Sequence, residues 1–152
     1  MFQSAATGHG GLSSIHGSDI QSALTRLAAE PINIKPSQQM LLWFAVHSTR
    51  LKGTDGKAIR RIRALTEINP TEDGITSMDL FSYERKTDSF GLDDIEELVK
   101  KSKRLNHVAE ILGVELVNDM QNRINLLNRC LEKKAYDIPD VFEILKKYYQ
   151  NV

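Results

Sequence analysis

Residues 47–68 read HSTRLKGTDGKAIRRIRALTEI, and this stretch decides the fold of the central part of the chain. Two β-compatible runs, residues 47–52 and 57–68, flank a turn at residues 53–56. The Asp-Gly pair in that turn supplies the positive φ angles that tight hairpin turns need. The stretch therefore predicts an antiparallel β-hairpin.

Toward the amino terminus, the pattern predicts a strand followed by a helix. Residues 12–16 form a short β-compatible run bounded by glycines on both sides. Ser18 and Gln21 match a capping box, and Pro31 ends the helical pattern. The helix has one apolar stripe, formed by Ile20, Ala23, Leu24, Leu27 and Ala28. The pattern therefore predicts a buried strand that leads directly into a helix, and we expect α/β character up to about residue 69.

Toward the carboxyl terminus, residues 75–84 and 87–90 predict a second small hairpin, and from residue 93 onward the pattern is helical. A heptad seam is formed by Val117, Met120, Ile124, Leu127 and Leu131. We expect the last helix to point five side chains inward, those of Val141, Phe142, Leu145, Tyr148 and Tyr149. These features predict small β-hairpins and a helical bundle in which the helices bury one another.

We expect two domains, residues 1–69 and 70–152. Residues 1–70 carry a net charge of +4, which the remainder balances, and turn residues cluster where the sign changes. The basic and acidic residues cancel at 20 each, which argues against a protein whose main task is to neutralise nucleic-acid phosphates.

The sequence also predicts the compartment. The longest apolar run, residues 40–46, is far too short to span a bilayer, and residues 1–17 do not have the pattern of a secretory signal. A lone cysteine, Cys130, fits a reducing environment. We therefore expect a cytoplasmic protein without membrane insertion.

His9 and His16 are the first candidates for chemistry. They flank the predicted strand, and imidazole can donate, accept or bind a proton near neutral pH, so the pair could face a phosphate chain. Structural histidines are the commoner interpretation on spacing alone. A zinc site is disfavoured because no cysteine or third histidine lies at ligand spacing, so we expect no metal.

The basic run Arg60, Arg61 and Arg63 is the second candidate. It could bind nucleotide or an acidic partner subunit, or it could be a solvated hairpin edge whose charges prevent aggregation. The heptad seam could likewise form an intermolecular coiled coil, although packing within the chain is the stronger expectation. The chain contains no glycine-rich loop ending in Gly-Lys-Ser/Thr, so it lacks the parts of an independent hydrolase.

Residues 1–16, MFQSAATGHGGLSSIH, resemble the histidine box of the type II/type IV secretion ATPases, above all the archaeal branch that drives pilus or archaellum assembly. The resemblance continues through residues 24–34 and 60–68, and through residues 81–90 and 137–149 near the carboxyl terminus. It is weakest over residues 91–103. Ser14 stands where the family usually has threonine.

The resemblance implies a carboxyl-terminal portion of a RecA-like P-loop NTPase subunit. His9 would sense the γ-phosphate, Thr7 and Gly8 would shape its nucleotide-binding loop, and His16 would relay the nucleotide state. Arg60, Arg61 and Arg63 would contact a neighbouring subunit. The intact family member would be a hexamer that binds ATP and Mg²⁺ and docks on a polytopic membrane platform protein. We expect this chain alone to bind no cofactor and not to hydrolyse ATP; the alternative function is a stand-alone helical protein-interaction module.

Overall fold

A computed structural model describes residues 2–53, 56–72, 74–91 and 94–150. The chain divides into two compact units, Met1–Asp93 and Asp94–Val152. The division falls in sequence after the second hairpin, whereas the position at which we expected a domain boundary, after residue 69, lies inside a strand.

The first unit contains three short helices and four strands. Their bounds are α1 Phe2–Ala6, α2 Ile20–Ala28, α3 Pro36–Gln39, β1 Phe44–Lys52, β2 Ala58–Thr71, β3 Gly74–Glu84 and β4 Ser89–Phe90. The strands form one antiparallel sheet in the order β1-β2-β3-β4. Each strand therefore pairs with its neighbour in sequence.

The hairpin predicted over residues 47–68 is confirmed by the pairing of β1 with β2. Its turn includes Thr54 and Asp55, which lie outside the described residues. The small hairpin predicted over residues 75–90 is confirmed by β3 and β4. The helix after residue 18 is present, but Asp19 is its N-cap and accepts a hydrogen bond from the backbone N–H of Ser22.

The expected partial RecA-like α/β core is wrong. The sheet is wholly antiparallel, and residues 12–16, the predicted strand, have no regular secondary structure. A strand is stable only beside another strand, and in the described part of the chain none pairs with residues 12–16. Leu12 is fully exposed. Local β propensity without a pairing partner is therefore not enough to make a strand there.

The core of the first unit contains residues of the two central strands and one residue of α2. Its apolar residues are Leu24, Ala64, Ile68 and Leu80. Gln39 is also buried, and its side-chain Nε2 donates to the backbone carbonyls of Leu24 and Ile34, both at 3.2 Å. This amide ties α3 to α2 and to the segment that joins the two helices.

The second unit consists of four helices, α4 Ile95–Lys101, α5 Lys103–Leu112, α6 Leu116–Glu132 and α7 Ile138–Tyr149. Asp94, Ser102 and Asp137 cap the N-termini of α4, α5 and α7. Gly113 ends α5 in the left-handed conformation, as its position predicts. Helix α6 contacts each of the other three.

The expected bundle, with its seam turned inward, is wrong for this unit. Leu116 and Leu126 of α6 are buried, but Leu127 and Leu131 of the heptad seam are 62% and 63% exposed. Phe142 and Tyr149, expected inside, are exposed as well. Four short helices have too little facing surface to cover a five-turn seam, so part of the apolar stripe remains on the surface.

In the described part of the chain, no helix is long and apolar enough to cross a membrane.

Candidate functional site

The turn that carries His9 is a helix C-cap. The N–H of His9 donates to the carbonyl of Ser4 at 3.0 Å, and the N–H of Gly8 donates to the carbonyl of Ala5 at 3.1 Å. These two bonds, with Gly8 at φ +84°, form a Schellman motif that ends α1. Glycine is favoured there because a side chain at positive φ is strained. The backbone therefore changes direction at Gly8, immediately before His9.

Thr7 fixes the orientation of the His9 ring. The Thr7 hydroxyl donates to the carbonyl of Ser4 at 2.9 Å and lies 3.1 Å from Nδ1 of His9. A hydroxyl has one proton, so when that proton is on the Ser4 carbonyl, Nδ1–H of His9 must donate to Thr7 Oγ1. The neutral ring then has its lone pair on Nε2, and the His9 side chain is exposed. Nε2 is thus the nitrogen available to a ligand.

His16 lies in an exposed segment between this turn and α2. The guanidinium of Arg26 donates to the His16 backbone carbonyl at 3.4 Å. Gly17 approaches α2 so closely that a Cβ there would lie 3.1 Å from Ser22 Oγ and 3.2 Å from Ala23 Cβ. The end of the segment is therefore held against α2. Thr7, Gly8 and His9 are brought together, whereas no contact joins His16 to them in the part of the chain that the structure describes.

The three arginines of β2 have different environments. Arg61 makes a two-bond ion pair with Asp88, with Nε and Nη2 each 2.8 Å from a carboxylate oxygen, and the hydroxyl of Tyr83 donates to the same carboxylate at 2.6 Å. Arg60 and Arg63 are exposed. Arg63 is the extra residue of a β-bulge, since His47 pairs with Ala64 and Ser48 with Ile62.

The cluster around Asp88 perturbs each of its members. Hydrogen bonds from Arg61 and Tyr83 hold the pKa of the Asp88 carboxyl well below its usual value. The hydrogen bond to Asp88 raises the pKa of Tyr83 and that of Arg61. The hydrogen bonds of Arg61 to Asp88 fasten β2 to the β3–β4 turn. Because the charges of these two residues neutralise each other, Arg60 and Arg63 are the arginines of this run that remain as surface cations.

Sequence reasoning missed two sets of residues. Asp88 and Tyr83, which form the cluster with Arg61, lie more than 20 residues from it in the sequence, so only the sheet register reveals them. It also missed that Arg50 lies directly opposite Arg60 on the neighbouring strand. The hairpin pattern predicts that the strands carrying Arg50 and Arg60 pair, but only the register shows that these two residues lie opposite each other.

No group of three or more His, Cys, Asp or Glu side chains that could hold a metal ion occurs among the described residues. The Thr7–His9 turn leaves one imidazole nitrogen, Nε2, for a ligand; it accepts a hydrogen bond in the neutral ring and donates one to a phosphate oxygen only in the doubly protonated ring. One such contact would not by itself hold a nucleotide.

Two archaeal relatives are similar over almost the whole chain. The uncharacterized protein MJ1287 of Methanocaldococcus jannaschii is 31% identical over 153 residues, which cover 97% of this chain and 53% of that protein. The uncharacterized protein MJ0900 of the same organism is 26% identical over 159 residues, which cover 98% of this chain and 28% of that protein. The chain thus spans about half the length of one relative and just over a quarter of the other. No protein-family model matches it.

Proposed function

We propose that this chain is the carboxyl-terminal part of an ATPase that drives secretion or filament assembly, similar to the archaeal type II/type IV secretion ATPases. In this proposal His9 senses the terminal phosphate of ATP. The observation that carries it is the Thr7–His9 contact, which orients one imidazole on a capped turn and leaves Nε2 exposed. An orienting partner on one ring nitrogen is what a histidine needs to act through the other.

The proposal assigns the binding of ATP and Mg²⁺ to other polypeptide. The β- and γ-phosphates require a loop of backbone amides with a lysine, and the metal requires a hydroxyl and a carboxylate. This sequence has no Gly-Lys-Ser/Thr motif. The relatives are longer than the chain, which is consistent with such a loop lying in their additional length.

The proposal also places the chain in an assembly. Identical motor subunits would form a hexamer, and a polytopic membrane platform protein would hold it at the cytoplasmic face of the membrane. Arg60 and Arg63 are exposed cations that such contacts could use, whereas Arg61 is paired within its own chain. His16 would relay the nucleotide state through the segment held against α2.

A titration of the labelled chain with inorganic tripolyphosphate tests the sensing role. We expect the Nε2 resonance of His9 to shift at millimolar concentrations, before those of His16, His47 and His107, because Thr7 contacts the other nitrogen of the exposed His9 ring. Ser13→Ala, in the same segment, is the control and should leave the titration unchanged. If His9 responds no earlier than the other histidines, the sensing role is wrong.

Two further measurements test the origin of the chain. The coding sequence before Met1 should contain an in-frame glycine-rich loop ending in Gly-Lys-Thr; a stop codon there would contradict the ATPase proposal. The purified chain should not hydrolyse ATP. Turnover above that of the His9→Gln variant would show that the phosphate-binding parts are present after all.

A second candidate function is a helical protein-interaction module, which is favoured by the exposed apolar side chains of the second unit. Leu127 and Leu131 on α6, and Ile138 and Phe142 on α7, are each more than 60% exposed. Apolar patches of this kind often mark interaction sites. A monomer at high concentration in a solution-mass measurement would remove the coiled-coil dimer, which is the simplest form of this function.

A further inference from the structure

The outer half of the β1–β2 hairpin presents cations on one exposed face. Along β1, the side chains at positions 46, 48, 50 and 52 are exposed, while those at 47, 49 and 51 are half-buried. Arg50 and Lys52 therefore lie on the exposed face, and the register places Arg50 directly opposite Arg60. Like charges directly opposite each other destabilise a sheet, so an anion beside them would be favourable.

Carboxylates are scarce around these cations. Strand β1 contains none, and the first on β2 is Glu67, which is fully buried. Asp55, in the turn, lies outside the described residues. None of the ion pairs found within the described ranges involves Arg50, Lys52 or Arg60. The positive charge of this face is consequently not balanced by its own strands.

Strand β1 is also an edge strand. In the described part of the chain it has a neighbouring strand on one side only, β2, and at nine residues it is long for an edge. An edge strand can pair with an extended peptide through main-chain hydrogen bonds. Cationic side chains on an edge oppose pairing with a neutral or basic strand, but they favour a strand that carries carboxylates beside them.

We propose that the exposed edge of β1 binds an extended acidic segment of a partner protein by strand addition. Carboxylates at alternate positions of that segment lie beside Arg50 and Lys52, since alternate residues of a strand share a face and are roughly 6.6 Å apart. Val46, on the same face, is 61% exposed and lies farther along the strand. This inference does not depend on the ATPase proposal.

The exposed face favours a protein segment over nucleic acid. Single-stranded nucleic acid is bound by basic grooves with aromatic side chains on which bases stack. The exposed-face positions 46, 48, 50 and 52 of β1 and 58, 60 and 62 of β2 contain no aromatic residue. Ile62, at 41% exposure, adds a second apolar group to that face. Cations and aliphatic side chains on one face favour contact with the side chains of a protein segment over stacking with bases.

Peptides as long as β1 provide the probe. We expect a peptide with alternating Glu and Val to bind the chain with a Kd that a fluorescence-anisotropy titration resolves. An isomer in the repeating order Glu-Glu-Val-Val should bind about tenfold more weakly, because no two of its Glu residues are two positions apart and it therefore cannot set a carboxylate beside each of the two cations on one face. Equal binding of the two isomers would overturn the proposal.

Backbone methylation separates strand addition from simple charge attraction. Two alternating peptides are methylated on backbone nitrogens, one at the odd and one at the even positions. One edge of an added strand faces β1, so one methylated peptide should lose binding and the other should retain it. If both retain binding, the contact is only ionic and the strand-addition proposal is wrong.

Charge reversal locates the site. The double variant Arg50→Glu/Lys52→Glu should bind the Glu/Val peptide with an affinity lower by about tenfold or more, and it should bind a matching Lys/Val peptide more tightly than the parent protein does. Arg85→Glu/Lys86→Glu, which reverses two exposed cations of the β3–β4 turn, is the matched control and should change neither affinity. Loss in both variants would overturn the assignment to β1. Tighter binding of an oligonucleotide or of anionic lipid vesicles than of the Glu/Val peptide would do so as well.

Discussion

Replacement of Gly8 by alanine isolates the backbone requirement of the turn that presents His9. Gly8 has φ +84°, and a Cβ built on it meets nothing within 4 Å. The substitution therefore adds no steric contact, only the cost of a left-handed L-residue, roughly 1–2 kcal/mol. That cost corresponds to about a 5- to 30-fold lower population of the capped turn.

The effect should be local because α1 contributes no buried residue to the core. A helix of five residues is marginal without its cap, so α1 should lose order while the thermal unfolding of the protein stays unchanged. The assay is the Cα secondary chemical shift of residues 2–6, together with the nuclear Overhauser contact between Thr7 and the His9 ring. Both should fall in Gly8→Ala.

Gly10→Ala is the matched control. Gly10 lies on the other side of His9, its Cβ would also meet nothing within 4 Å, and its φ is not in the left-handed region. It should leave the helical shifts intact, and Gly8→Asn should lie between the two because asparagine tolerates the left-handed conformation. Equal losses in Gly8→Ala and Gly10→Ala, or no loss in either, would refute the role assigned to the cap.

Three further predictions concern stability and titration. Gln39→Leu should lower the free energy of unfolding by about 1–3 kcal/mol in a urea titration, because the two hydrogen bonds from this buried amide to the carbonyls of Leu24 and Ile34 are lost. Asp88→Asn should lower the pKa of Tyr83 in an NMR titration. In the parent protein, the stabilisation from Asp88 should be present above the ordinary carboxyl pKa and be lost as the pH falls below about 4, because the folded-state pKa is depressed. Leu127→Lys should change the free energy of unfolding by less than roughly 0.5 kcal/mol, whereas Leu126→Lys should unfold the second unit, since only the latter is buried.

Local signals predicted the two hairpins and the end of α5. A turn residue with a fixed φ requirement acts within a few positions, so Gly113 could be recognised as a C-cap without knowledge of the rest of the fold, whereas the capping box predicted at Ser18 and Gln21 was wrong because Asp19 is the N-cap. The register of β1 and β2 could not, because it depends on how the turn closes. A slip of one residue would move Arg50 to the opposite face from Arg60 and remove the charged patch.

Features that depend on burial were predicted poorly. The apolar run at residues 12–16 resembles a buried strand, but burial is decided by what lies beside it, and no strand does so in the described residues. The predicted burial of the heptad seam was wrong for the same reason. Its spacing correctly predicts one face of a helix, whereas the surface that covers that face is a property of the whole assembly.

In the proposed sensing role, the Thr7–His9 turn supplies a partner for one nitrogen of the ring, and this decides how the role should be tested. Thr7 supplies a partner for Nδ1, and the Schellman bonds fix the backbone, so one side of the ring is already organised. A sensor needs its second partner to come and go with the signal, and a γ-phosphate beside Nε2 would be such a partner. A structural histidine would instead have both nitrogens satisfied within the chain. The response of Nε2 to phosphate, compared with the unchanged contact at Nδ1, is therefore the observation that distinguishes a sensor from a structural residue.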